Sequence, residues 1–186
     1  MRFTVKFLAA AIAAGLFCST LTAVESGFVA KFGVGSSSMK TKISIDGYGS
    51  AEDSDRAGTF EIYGGYRMQN AQFGLSYANI NCDGCDANYI LASGAYVFEG
   101  HDIVKPYIGA GLGLFSYKET DFLDENGLFG TVNLGVNAEL EHFFVGLEFR
   151  QRIFGEAKGD TKYLGHDINV KVEPKQTFLF NVGYKF

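Results

Sequence analysis

Residues 177–186 set Phe178, Phe180, Val182, Tyr184 and Phe186 at alternate positions, with Thr177, Leu179, Asn181, Gly183 and Lys185 between them. A period of two with aromatics on one side is a strand with one apolar face. Its length matches what a tilted strand needs to cross a bilayer, about 9–11 residues. A soluble sheet rarely leaves such an edge free.

The same period recurs upstream, giving eight strand candidates. Gly27 to Gly35 places Phe28, Ala30, Phe32 and Val34 opposite Lys31, Gly33 and Gly35. Thr59 to Met68 opposes Phe60, Ile62, Tyr66 and Met68 to Glu61, Tyr63 and Arg67. Phe73 to Ile80, Val104 to Tyr117, the segment around Thr131 to Leu140 and Val145 to Ile153 alternate in the same way. Tyr89 to Phe98 is apolar throughout, so alternation assigns it no faces. The connections alternate in length: Gln69 to Gln72, Glu99 to Asp102 and Glu141 to His142 are short. Ser36 to Gly58, Lys118 to Gly127 and Gly155 to Lys175 are long and polar, with Asn81 to Asp86 a shorter member of that set. Long and short connections in turn, with an even strand count, predict an all-β, eight-stranded antiparallel transmembrane β-barrel.

In a soluble sandwich the polar faces meet water; in a membrane barrel they fill the interior and the apolar faces meet lipid. Glu61, Arg67, Glu139, Glu148, Arg150 and Arg152 lie mid-strand on polar faces beside glycines, with both signs present. Small neighbours leave room in a narrow interior where opposite charges neutralise each other, so these six residues are expected to form a lumenal charge network with a structural role. The N-terminus agrees with export. Arg2 and Lys6 precede an apolar run from Phe7 to Phe17, and Leu21-Thr22-Ala23 offers a cleavage site. Residues 1–23 are therefore expected to be a signal peptide and 24–186 the barrel domain. The apolar run is too short for a spanning helix, and the residues before Cys18 are too large for a lipidation site. Cleavage would lower the 16 basic residues to 14 against 21 acidic ones, a surplus of acid that excludes a nucleic-acid partner. Two prolines, 24 glycines, 18 Phe and 10 Tyr suit an aromatic, glycine-punctuated all-β chain.

Lys105-Pro106-Tyr107-Ile108-Gly109-Ala110-Gly111-Leu112-Gly113, Leu147-Glu148-Phe149-Arg150 and Phe180-Asn181-Val182-Gly183-Tyr184-Lys185-Phe186 resemble segments of the small Gram-negative outer-membrane β-barrel proteins. That family includes the membrane domain of outer-membrane protein A and the opacity-type surface proteins. The resemblance covers the chain after the leader and implies location in the cell outer membrane. It also implies that the strand carrying Phe178, Phe180, Val182, Tyr184 and Phe186 is the signal read by the insertion machinery. The partners implied are outer-membrane lipids and lipopolysaccharide, the assembly machinery with its periplasmic chaperones, and host surface molecules.

Constellations that would carry chemistry are few. Cys82-Asp83-Gly84-Cys85 sits in a hairpin connection; in an oxidising compartment a Cys82–Cys85 disulfide is the expectation. Zinc would need further ligands, and only His101, His142 and His166 are at hand. The acidic stretches Glu52, Asp53, Asp55 and Glu119, Asp121, Asp124, Glu125 match no spaced calcium loop. None of the histidines stands in a His-x-Ser arrangement, so no catalytic, metal or cofactor residue is expected. An eight-stranded barrel is just wide enough for its own side chains, which predicts a plugged lumen. The reading is a surface protein with a structural or adhesive, host-contact role through its outer loops. A small-solute channel and a lipid A-modifying enzyme are the alternatives.

Overall fold

A computed structural model of the chain describes residues 26–186 except 46–48, 83–84, 99–102, 120–122, 156 and 164–165. The expected leader, 1–23, lies outside the described residues. Nine strands follow in order: β1 (Gly27–Ile45), β2 (Gly49–Met68), β3 (Ala71–Cys82), β4 (Cys85–Val97), β5 (Val104–Glu119), β6 (Leu123–Leu140), β7 (Phe143–Phe154), β8 (Ala157–Tyr163) and β9 (His166–Lys185). Each pairs antiparallel with its neighbours, and β1 pairs with β9 from Val29↔Lys185 to Ile45↔Ile168, which closes the sheet. Strands β7 and β8 are two halves of one barrel strand, because both pair with β9. They part at Gly155, whose φ of 110° is open to glycine and unfavourable for other residues. The result is a closed eight-stranded antiparallel barrel.

Alternation decides which side chains face out. Phe28, Phe32 and Val34 of β1, Leu112 and Leu114 of β5, Leu134 and Leu140 of β6, and Phe178, Phe180 and Val182 of β9 are exposed on the outside. Between them Glu61, Tyr63, Arg67, Tyr107, Thr131, Asn133, Asn137, Glu148 and Arg150 are buried. A belt of exposed Phe, Leu, Val and Ile around a buried polar interior is the reverse of a water-soluble sheet protein, so the belt is the lipid-facing surface of a membrane barrel. The faces of β4, which alternation left open, are resolved: Tyr89, Leu91 and Val97 point in, while Ile90, Tyr96 and Phe98 point out. Aromatic pairs edge the belt. At the end carrying the short turns, Phe143 meets Tyr184 at 4.8 Å and Tyr184 meets Phe186 at 4.7 Å. At the other end, Phe32 meets Phe60 at 4.7 Å and Phe149 meets Phe178 at 4.8 Å.

The long polar connections differ from expectation. Ser36 to Gly58 is mostly ladder: β1 and β2 pair without interruption from Gly27↔Arg67 to Ile45↔Gly49. Gly155 to Lys175 likewise holds β8 and the first half of β9, and Lys118 to Gly127 holds the ends of β5 and β6. Residues 49–56 are exposed on both faces. No apolar period marks such a segment, and it is the backbone ladder that extends the strand.

Candidate functional site

Two regions concentrate polar chemistry: the interior charge cluster and the sheet that extends past the belt. The cluster is built on Arg150 of β7. Its Nη1 donates to Glu61 Oε2 at 2.6 Å and to the Tyr89 hydroxyl at 2.7 Å. Its Nη2 donates to Glu148 Oε1 at 2.6 Å and to Glu61 Oε1 at 3.0 Å, and Nε donates to Glu148 Oε1 at 3.1 Å. Tyr89 donates its hydroxyl proton to Glu61 Oε2 at 2.7 Å, and Tyr107 donates to Glu148 Oε2 at 2.7 Å. Lys31 Nζ stands 3.5 Å from Glu148 Oε2 and 4.4 Å from the centre of the Tyr63 ring. Both carboxylates thus have two or more charged or hydroxyl partners, the condition under which buried charge is tolerated.

The other residues expected in this network are placed apart. Arg67 and Glu139 form their own pair near the short-turn end, Nη1 to Oε1 at 2.5 Å, and Arg67 Nε also donates to the Gln69 carbonyl at 3.3 Å. Arg152 meets no carboxylate among the described residues. Its guanidinium lies 4.0 Å from the Phe129 ring centre and 5.3 Å from that of Phe115, a cation–π seat. Lys31, Tyr89 and Tyr107 complete the cluster. Parity alone places Lys31 and Tyr107 on inner faces, but the uniformly apolar β4 hides Tyr89.

Above the charges, Met39, Ala57, Ile80, Ala87, Phe115, Tyr117, Phe129 and Val172 belong to a buried apolar cluster within the barrel. Glycines admit the large rings: a Cβ on Gly135 would lie 2.2 Å from Tyr107 Cζ, and one on Gly113 would lie 2.5 Å from Phe129. Interior cavities lined by Arg67, Gln72 and Glu139 at one end, or by Tyr89, Tyr117 and Arg152 at the other, are about 10 Å³ each. That is the room of one water-sized sphere.

Past the belt, β2, β1, β9 and β8 lie side by side as a four-stranded sheet. Its polar pairs are short-range. Ser37 hydrogen-bonds Thr59 at 2.7 Å and Thr177 at 2.9 Å, tying three strands at the base. Further out, Glu52 pairs with Lys40 and, at 3.5 Å, with Lys42. The hydrogen bond and charge between Lys40 and Glu52 hold the carboxyl below, and the ammonium above, its ordinary range. Among the described residues the outer edge of β2 has no ladder partner from Gly49 to Ala57, since its ladder with β3 begins at Gly58↔Asn81. On the opposite side, Cys82 and Cys85 face each other across the end of the β3–β4 hairpin. Their side chains, like Asp83 and Gly84, lie outside the described residues. Among the described residues no group of acids, histidines and cysteines is placed to hold a metal ion.

No protein-family model matches the chain, and no curated protein matches it in sequence. Solved structures do. The chain is 23% identical to neisserial surface protein A over 83% of its own length and 97% of that protein's, with a TM-score of 0.50. It is 15% identical to the N-terminal β-barrel domain of Pseudomonas aeruginosa OprF, over 86% of this chain and 98% of that one, with a TM-score of 0.55. The likeness is one of fold: the chain has the architecture of the small eight-stranded outer-membrane barrels.

Proposed function

We propose that the protein is a non-conducting barrel of the bacterial outer membrane whose role is structural and adhesive, exerted through the sheet that rises from its outer side. The observation carrying this reading is the contrast between the two polar regions. Glu61, Glu148 and Arg150 are buried and paired with one another, whereas the four-stranded extension presents polar side chains and, from Gly49 to Ala57, a strand edge with no ladder partner among the described residues. In this reading the short turns and both ends of the chain lie in the periplasm. Residues 1–23 are removed on export, and the strand ending in Phe186 is read by the assembly machinery after delivery by periplasmic chaperones. Lipopolysaccharide packs against the outer belt, and host surface molecules are the partners of the extension.

The test is binding of intact cells to host matrix or host cells. Replacing residues 38–56 by a tight turn should abolish binding while surface expression of the barrel persists; undiminished binding would contradict the assignment. A lipid A-modifying role predicts a mass change in lipid A on deleting the gene, and this reading predicts none. Cys82 and Cys85 are proposed to close the short β3–β4 hairpin as a disulfide. Two free thiols in the purified mature protein would refute that pairing.

A further inference from the structure

We infer that the upper lumen holds one small monatomic anion, of the halide class, between Arg152 and Thr131. The site is a cavity of about 10 Å³ lined by Arg150, Arg152, Lys175, Thr131, Thr177, Tyr89 and the ring of Phe129, with no carboxylate among the described residues of its wall. Three cations and three hydroxyl-bearing residues therefore line a space the size of one water molecule, the Tyr89 hydroxyl being already donated to Glu61. Among the described residues, the interior carboxylates that could neutralise Arg152 are engaged elsewhere. Glu61 and Glu148 are held by Arg150 and Lys31, and Glu139 by Arg67. Lys175, at the cavity rim, faces Glu173 at 3.4 Å on its solvent side.

Two donors at the cavity lack partners. Arg152 Nη1 is buried without a hydrogen-bond acceptor, and so is Thr131 Oγ1, on a residue only 2% exposed. An unpaired guanidinium nitrogen is among the more costly groups to leave buried. The ring face of Phe129 attracts the cation but offers its N–H groups no lone pair. Water would satisfy the threonine hydroxyl but would not neutralise the arginine. A halide does both, accepting from Arg152 Nη1 and Thr131 Oγ1 while balancing the Arg152 charge, since Glu61 and Glu148 are already matched by Arg150 and Lys31. Sulfate and phosphate are excluded by size.

The experiment uses the full mature chain, refolded in detergent, with sodium bromide as probe and sodium gluconate keeping ionic strength constant. Because the ion binds only the folded barrel, the urea midpoint should rise with each tenfold increase in bromide. Arg152→Met should flatten that dependence. Thr131→Val, which keeps the side-chain volume and the charge, should weaken it and serves if Arg152→Met fails to refold. Crystals grown in bromide should show an anomalous peak beside Arg152. Bromide dependence that persists unchanged in the variants would overturn the inference. So would a wild-type midpoint insensitive to bromide, or a water without anomalous signal in the cavity.

Discussion

At the scale of single residues, Arg150 is the pivot of the interior. It satisfies two carboxylates from two strands, Glu61 and Glu148, and shares the Tyr89 hydroxyl with one of them. Removing it leaves the Glu61 and Glu148 carboxylates with the Tyr89 and Tyr107 hydroxyls and, as cation among the described residues, Lys31. Arg150→Leu should therefore lower stability by about 3–5 kcal/mol, the usual cost of breaking a buried pair from one side. Urea unfolding in detergent reads this directly, and an unchanged midpoint would show that the cluster is not structural. Much of the cluster was legible in the sequence, because alternation sends Glu61, Glu148 and Arg150 to inner faces. What alternation does not carry is which residue meets which. That depends on strand tilt and stagger, and it is why Arg67–Glu139 and Arg152 separate from the rest although all six share the same parity.

At the scale of elements, room and reach are set by different residues. Room comes from glycine: Tyr107 of β5 can reach over β6 to Glu148 of β7 because Gly135, the register partner of both, lies under its ring. Gly135→Ala should destabilise the barrel by roughly 1–3 kcal/mol by overpacking, and Tyr107→Leu in the same chain should recover part of the loss. A double-mutant cycle on unfolding midpoints checks this; additive effects would separate the two residues. Reach comes from strand length. β2 has 20 residues and β9 has 20, about twice what a tilted strand needs to cross lipid, and the surplus is the outer sheet. Shortening the β1–β2 hairpin by replacing 38–56 should leave the barrel folded, seen as retained heat-modifiable migration on gels. Loss of that migration would mean the extension is needed for closure. The extension was not legible as strand, because a segment exposed on both faces has no hydrophobic period. The terminal strand was legible, because one of its faces must meet lipid.

At the scale of the whole molecule, an apolar belt, aromatic edges and a buried polar interior together require a lipid surround. Inside the belt Arg150, Glu61, Glu148, Tyr89 and Tyr107 are hydrogen-bonded to one another. Under the proposed function the inner charges hold the barrel, and selectivity for partners falls to the sheet outside the belt. A channel reading makes the opposite demand on the same residues, since it needs Arg150 and its carboxylates to line water. Single-channel recording of the purified, refolded barrel in planar bilayers separates the two most directly. The account predicts no large, stable conductance for the native chain. A stable, voltage-independent conductance whose ion selectivity shifts in Arg150→Leu would contradict it.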